Sequence, residues 1–108
     1  MITYNHKLYT DETVEKKLKK YKKRIEKKKL LSSYYIISLP FNSDNCLDIY
    51  SGMERWLSEY KKDTDIEVVG IAANKKSMFE VLENITKDVV EKYDTFDKES
   101  VKKFFEEM

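Results

Sequence analysis

Two short apolar runs constrain this chain more than any other feature. One is Tyr34-Tyr35-Ile36-Ile37-Ser38-Leu39, closed by Pro40; the other is Ile66-Glu67-Val68-Val69-Gly70-Ile71-Ala72-Ala73. Both are strand signals, rich in β-branched or aromatic residues and bounded by turn formers. The first is apolar on both faces, as a strand in the middle of a sheet must be. Segments with helical spacing precede, separate and follow them. Alternation of strand and helix predicts a single compact α/β (or α+β) domain over residues 1–108, in the order β-α-β-α-β-α-α. The sheet should be small, three- to four-stranded and mixed or parallel, packed with three to four helices on one face or on both. The two apolar runs should be adjacent or near-adjacent strands in it.

The remaining elements follow from periodicity and caps. Residues 1–9 alternate enough for a short strand, or for a small hairpin around Asn5-His6. Thr10 is the expected N-cap of a helix over about 11–29, with Asp11 and Glu12 in its first turn and Tyr9 and Val14 as a hydrophobic staple. Its buried stripe is Val14, Leu18, Tyr21 and Ile25. A loop over 41–45 leads into Cys46, Leu47, Ile49, Tyr50, Met53, Trp56, Leu57 and Tyr60, which recur at helical spacing, with Gly52 as a candidate break. Asp63-Thr64-Asp65 reads as a turn. Asn74 should cap a helix that buries Met78, Val81, Leu82, Ile85 and Val89, with Phe79 and Tyr93 extending the stripe. Asp97 should cap a last helix stapled by Phe96 and Val101 and anchored by Phe104 and Phe105.

Composition supports a folded chain. Apolar residues make up 41%, with eight Tyr, five Phe and one Trp, which outweighs the 38% charge as a signal against disorder. Two Gly and one Pro leave few sharp turns. One Cys excludes an internal disulfide and is compatible with a reducing compartment. No apolar run approaches membrane-spanning length, and the first residues lack an apolar signal region. The expectation is a soluble, unexported, cytoplasmic protein with no membrane association. A Lys excess over Arg, with frequent Ile, Asn and Tyr, fits an AT-rich bacterial genome.

Across residues 34–93, the run Tyr35-Ile36-Ile37-Ser38-Leu39-Pro40, then Asn45-Cys46-Leu47-Asp48-Ile49-Tyr50, then Val68-Val69-Gly70-Ile71-Ala72 and a helix resembles small uncharacterised bacterial proteins of similar length. That resemblance implies a compact α/β domain and nothing catalytic.

Few residues offer chemistry. His6 is the one His, and a neutral general base near pH 7 is usually a His. Close to a terminus it reads as an exposed side chain. Cys46 would be reactive if a helix N-terminus depressed its pKa; otherwise it is a small hydrophobe on an apolar face. Gly70, Lys76 and Ser77 match part of a phosphate loop at a strand–helix junction. Lys75 stands where that loop needs its second Gly, so residues 70–77 make at most a weak anion or nucleotide site. Asp63, Asp65 and Glu67 alternate like calcium ligands but lack the loop's Gly and distal Glu. Asn84-Ile85-Thr86 is a sequon inside a predicted helix, where chance explains it. No catalytic residue, metal site or cofactor is expected, and the chain reads as a non-enzyme.

The strongest functional lead is charge. Residues 16–29 hold ten of the 21 Lys and Arg. Residues 1–31 carry a net +7, residues 32–62 a net −1 and residues 63–108 a net −5. Lys16, Lys20, Lys23 and Lys27 follow one another along the helix, away from its apolar stripe, and are the candidate contacts for an anionic partner. The first expectation is a protein-interaction module that docks an acidic protein surface or a second copy of itself. The second is a nucleic-acid-binding accessory protein. Lys acts as a point charge rather than a bidentate fork, so such binding would be nonspecific. A plain solvated face is the competing reading.

Overall fold

The computed structural model describes residues 2–27, 34–40, 45–51 and 66–107. Four strands form one mixed sheet: β1 (Ile2–Thr10), β2 (Tyr35–Ser38), β3 (Asp48–Ser51) and β4 (Ile66–Ala72), in the order β1-β4-β2-β3. β4 runs parallel to β1 and antiparallel to β2, and β2 is antiparallel to β3. The two apolar runs are thus neighbours in the centre of the sheet. Among the described residues, four helices pack with it: α1 (Glu12–Lys16), α2 (Leu18–Lys27), α3 (Lys75–Tyr93) and α4 (Lys98–Glu106).

Alternation along the central strands divides the core in two. Ile36, Val68 and Ile71 pack with Val14, Tyr21 and Ile25 of α1 and α2. Ile37, Val69 and Ala72 pack with Met78, Val81, Ile85 and Val89 of α3 and with Val101, Phe104 and Phe105 of α4. The sheet is therefore covered by helices on both faces, with α1 and α2 opposite α3 and α4. Gly70 sits beneath α3. A Cβ built there would lie 3.2 Å from Ile37 and from Val81 Cγ1.

Four expectations need correction. Asp48–Ser51 is a strand, not the start of a helix. Ile49 and Tyr50 satisfy either period over so short a segment, and pairing with the open edge of β2 decides between them, Ile37 opposite Ile49 and Ile36 opposite Tyr50. The N-cap of the first helix is Asp11 rather than Thr10, because Thr10 is held in β1 opposite Ile71. That shift dissolves the Tyr9–Val14 staple: Tyr9 packs with the α3/α4 core and Val14 with the other. The expected single helix is broken at Lys17, which leaves helical geometry at φ −128, ψ 34. Met53, Trp56, Leu57, Tyr60, the Gly52 break and the Asp63–Asp65 turn lie outside the described residues.

The other caps form as expected. Asn74 Oδ1 accepts from Ser77 N at 2.8 Å. Asp97 makes a full capping box with Ser100, which holds its carboxyl below the ordinary range through the Ser100 backbone amide first. Residues 2–10 form one strand rather than a hairpin, but an irregular one. Tyr4 pairs with Val68 and Tyr9 with Gly70, so β1 bulges between them.

Candidate functional site

The lysine face is built on α1 and α2. Asp11 fixes where it starts: one carboxylate oxygen caps α1 by accepting from Val14 N at 2.7 Å, and the other accepts from Ala73 N at the end of β4, at 2.8 Å. At the break, Lys17 N donates to Val14 O at 3.0 Å, a tight turn after which α2 sets off anew. Val14, Tyr21 and Ile25 are at most 7% exposed and seat both helices on the sheet.

The structure sorts the basic residues into two kinds. Lys22 lies half-buried over the Tyr4 ring at 4.6 Å, and Arg24 lies over Tyr21 at 5.1 Å. Each contributes roughly 0.5–1 kcal/mol at such a site, so these two act as struts for the helix. Lys16, Lys17, Lys19, Lys20 and Lys23 are exposed. Lys16 meets Glu12 at 3.6 Å across one turn, a solvent-exposed pair. Among the described residues, Lys17, Lys19, Lys20 and Lys23 have no ion-pair partner. Of the four candidate contacts, Lys16, Lys20 and Lys23 thus stand exposed, and the Lys27 side chain lies outside the described set. Between Glu12 and Lys27 there are eight basic and three acidic residues; between Lys75 and Glu107 there are seven and nine. The sheet separates a basic helical layer from a slightly acidic one.

The junction at 70–77 is closed by its own side chains. Gly70 lies within β4, not in a loop. The Asp11 carboxylate occupies the Ala73 amide, and Asn74 occupies that of Ser77. An anion there would face a carboxylate, which disfavours it. Cys46 lies in a bend ahead of β3, not at a helix N-terminus; it is half-buried and its thiol donates to Phe96 O at 3.9 Å. Among the described residues, no group of His, Cys, Asp and Glu is arranged to hold a metal ion.

A polar cluster that sequence reasoning missed joins the β1 bulge to the end of α4. Asn5 is buried; its Nδ2 donates to Phe105 O at 2.8 Å and to Glu67 Oε2 at 2.6 Å, and its Oδ1 accepts from Lys7 N at 2.9 Å. Lys7 Nζ donates to Phe104 O at 2.7 Å and lies 4.2 Å from the centre of the Phe104 ring. His6 Nε2 contacts Glu107 O. Three successive side chains of β1 thereby serve carbonyls at a helix C-terminus, which the helix itself cannot satisfy. The Glu107 carboxylate accepts from Lys92 at 2.6 Å, Tyr93 at 2.8 Å and Lys7 at 3.3 Å. Those donors, Lys92 first and then Tyr93, hold it at about 2. Nearby, Tyr9 OH donates to Asp88 Oδ2 at 2.5 Å, and burial first, then Asp88, raises its pKa. Each of these side chains engages another group of the protein, so the cluster reads as a clamp between β1 and the end of α4. An Asn in an otherwise alternating strand was the one signal for it.

No family model, curated protein or solved structure matches this chain. No helix among the described residues is long and apolar enough to cross a membrane.

Proposed function

We propose that this chain is a non-enzymatic interaction module of the bacterial cytoplasm that docks an acidic protein surface on the lysine face of α1 and α2. One observation carries the reading: exposed lysines without carboxylate partners among the described residues stand on helices whose own position is fixed by Asp11, Val14, Tyr21 and Ile25. A presented, pre-positioned row of charge favours encounter with an acidic surface and suppresses basic partners. The single cysteine and the codon-biased lysine content support a reducing bacterial compartment. The same face serves the second reading, nonspecific nucleic-acid binding, because unpaired lysines displace counterions from phosphates equally well.

The test replaces Lys16, Lys20, Lys23 and Lys27 by Gln together. Thermal stability should hardly change, since exposed charges contribute little to folding. In a pull-down from the native host, an acidic partner should be lost, with its association slowed. If nucleic acid is the ligand instead, gel shifts should show log K falling against log salt with a slope of about −3.6 for four phosphate contacts, flattened in the variant. A variant that retains every partner of the wild type would leave the face merely solvated and end both readings.

A further inference from the structure

Three large apolar side chains stand exposed among the described residues: Phe79 at 53%, Val90 at 39% and Ile49 at 37%. They share one side of the sheet. Phe79 and Val90 are on α3, and Ile49 pairs with Ile37, which packs under α3. On α3, steps of three, four and four residues align Phe79, Leu82, Thr86 and Val90 in a ridge beside the buried stripe. Its first part forms a shallow groove with Glu83 and Lys87. Phe79 therefore does not extend the core stripe, as its spacing suggested.

Four charges flank this ridge on one side in a pattern, with Glu80 and Glu91 further round the helix. Lys76, Glu83, Lys87 and Asp94 are all exposed, and none has an ion-pair partner among the described residues. Asp94 is the left-handed cap that ends α3. Their signs alternate, and their spacings are symmetric about Ile85, so the pattern inverts its sign on reversal. A second α3 laid antiparallel about a two-fold axis at Ile85 puts Lys76 opposite the second copy's Asp94 and Glu83 opposite the second copy's Lys87. The same operation brings Phe79 within about one residue's rise of the second copy's Val90, about 1.5 Å along the axis. A parallel, in-register helix would set every charge against its like.

We propose that α3 is a self-association face, through which two copies pair by antiparallel α3 helices about a two-fold axis at Ile85. Such an isologous contact is closed and gives a dimer rather than a filament. We expect weak pairing, with a dissociation constant on the order of 10–100 μM. The lysine face lies on the other side of the sheet, so the dimer leaves both copies of that face open, and self-association is read independently of partner binding.

Sedimentation equilibrium on the full chain tests this, from about 5 μM to about 1 mM, a range that brackets that affinity. The mass should rise from the 13.0 kDa of one chain toward twice that value. Phe79→Glu should raise the dissociation constant at least about tenfold, as loss of a central aromatic contact does, with an unchanged melting temperature because Phe79 is exposed. Glu83→Lys should dissociate the dimer by placing two like pairs at its centre. The double change Glu83→Lys with Lys87→Glu should restore it, because the swapped charges again oppose each other. The proposal is overturned if the wild type stays monomeric throughout, as it would if a different protein covers this ridge. It is equally overturned if a dimer forms that ignores Phe79→Glu, or if the double swap fails to recover association.

Discussion

Asn5 shows how much one side chain can hold. It joins Glu67 of β4, the Phe105 carbonyl of α4 and the amide of Lys7 while only 7% exposed. Asn5→Ala strands those groups away from water and should destabilise the fold by about 2 kcal/mol, read as a fall in melting temperature of roughly 10 °C. Glu107 predicts a pH dependence. Its folded pKa is depressed to about 2 from an ordinary 4.5, so its contribution is present above 4.5 and disappears as pH falls toward 2. Melting curves of Glu107→Gln and wild type should therefore converge over that window and differ at neutral pH. A constant difference at every pH would remove the linkage. Tyr9 works in the opposite direction: its pKa is raised, so its stabilising effect is present below 10.0 and is lost only in stronger alkali.

At the scale of elements, Gly70 marks a tight contact between α3 and the sheet. A methyl group there meets Ile37 and Val81 at 3.2 Å, so Gly70→Ala should cost about 1–3 kcal/mol through overpacking. Equilibrium urea unfolding of the variant measures it, and an unchanged midpoint would show that α3 shifts freely. This contact also marks the boundary of what was readable in advance. β2, β4, α3 and α4 were legible because each carries its own period and caps: Asn74 and Asp97 both sit where helix chemistry needs them. β3 was not, because four residues with one Ile and one Tyr fit either period until a neighbouring strand edge is present. The break at Lys17 was invisible in a lysine-rich stretch that contains neither Gly nor Pro. The lysine face could be read because charge and stripe alternate along one segment. The clamp could not, because Asn5, Lys7 and Glu107 meet only through contacts about a hundred residues apart in the chain.

At the scale of the whole molecule, the sheet works as a partition. It places the lysine face and the α3 ridge on opposite sides, so one small domain can engage two surfaces without competition between them. A paired molecule would carry two lysine faces, and a partner with repeated acidic sites would then be held by effective concentration as well as by contact. Hydrogen bonding within the sheet is centred on β4, which alone binds both β1 and β2.

That strand order has a consequence for the chain as it is made. β1 leaves the ribosome before the other described elements, yet its partner is not complete until residue 72, and its clamp not until residue 107. Of the described strand pairs, only β2–β3 can close during that interval, while an irregular strand and a highly charged pair of helices wait without a complete sheet to cover. Unpaired strand edges in that state are open to wrong partners. Like charge on the α1 and α2 lysines disfavours such pairing between two copies of the chain.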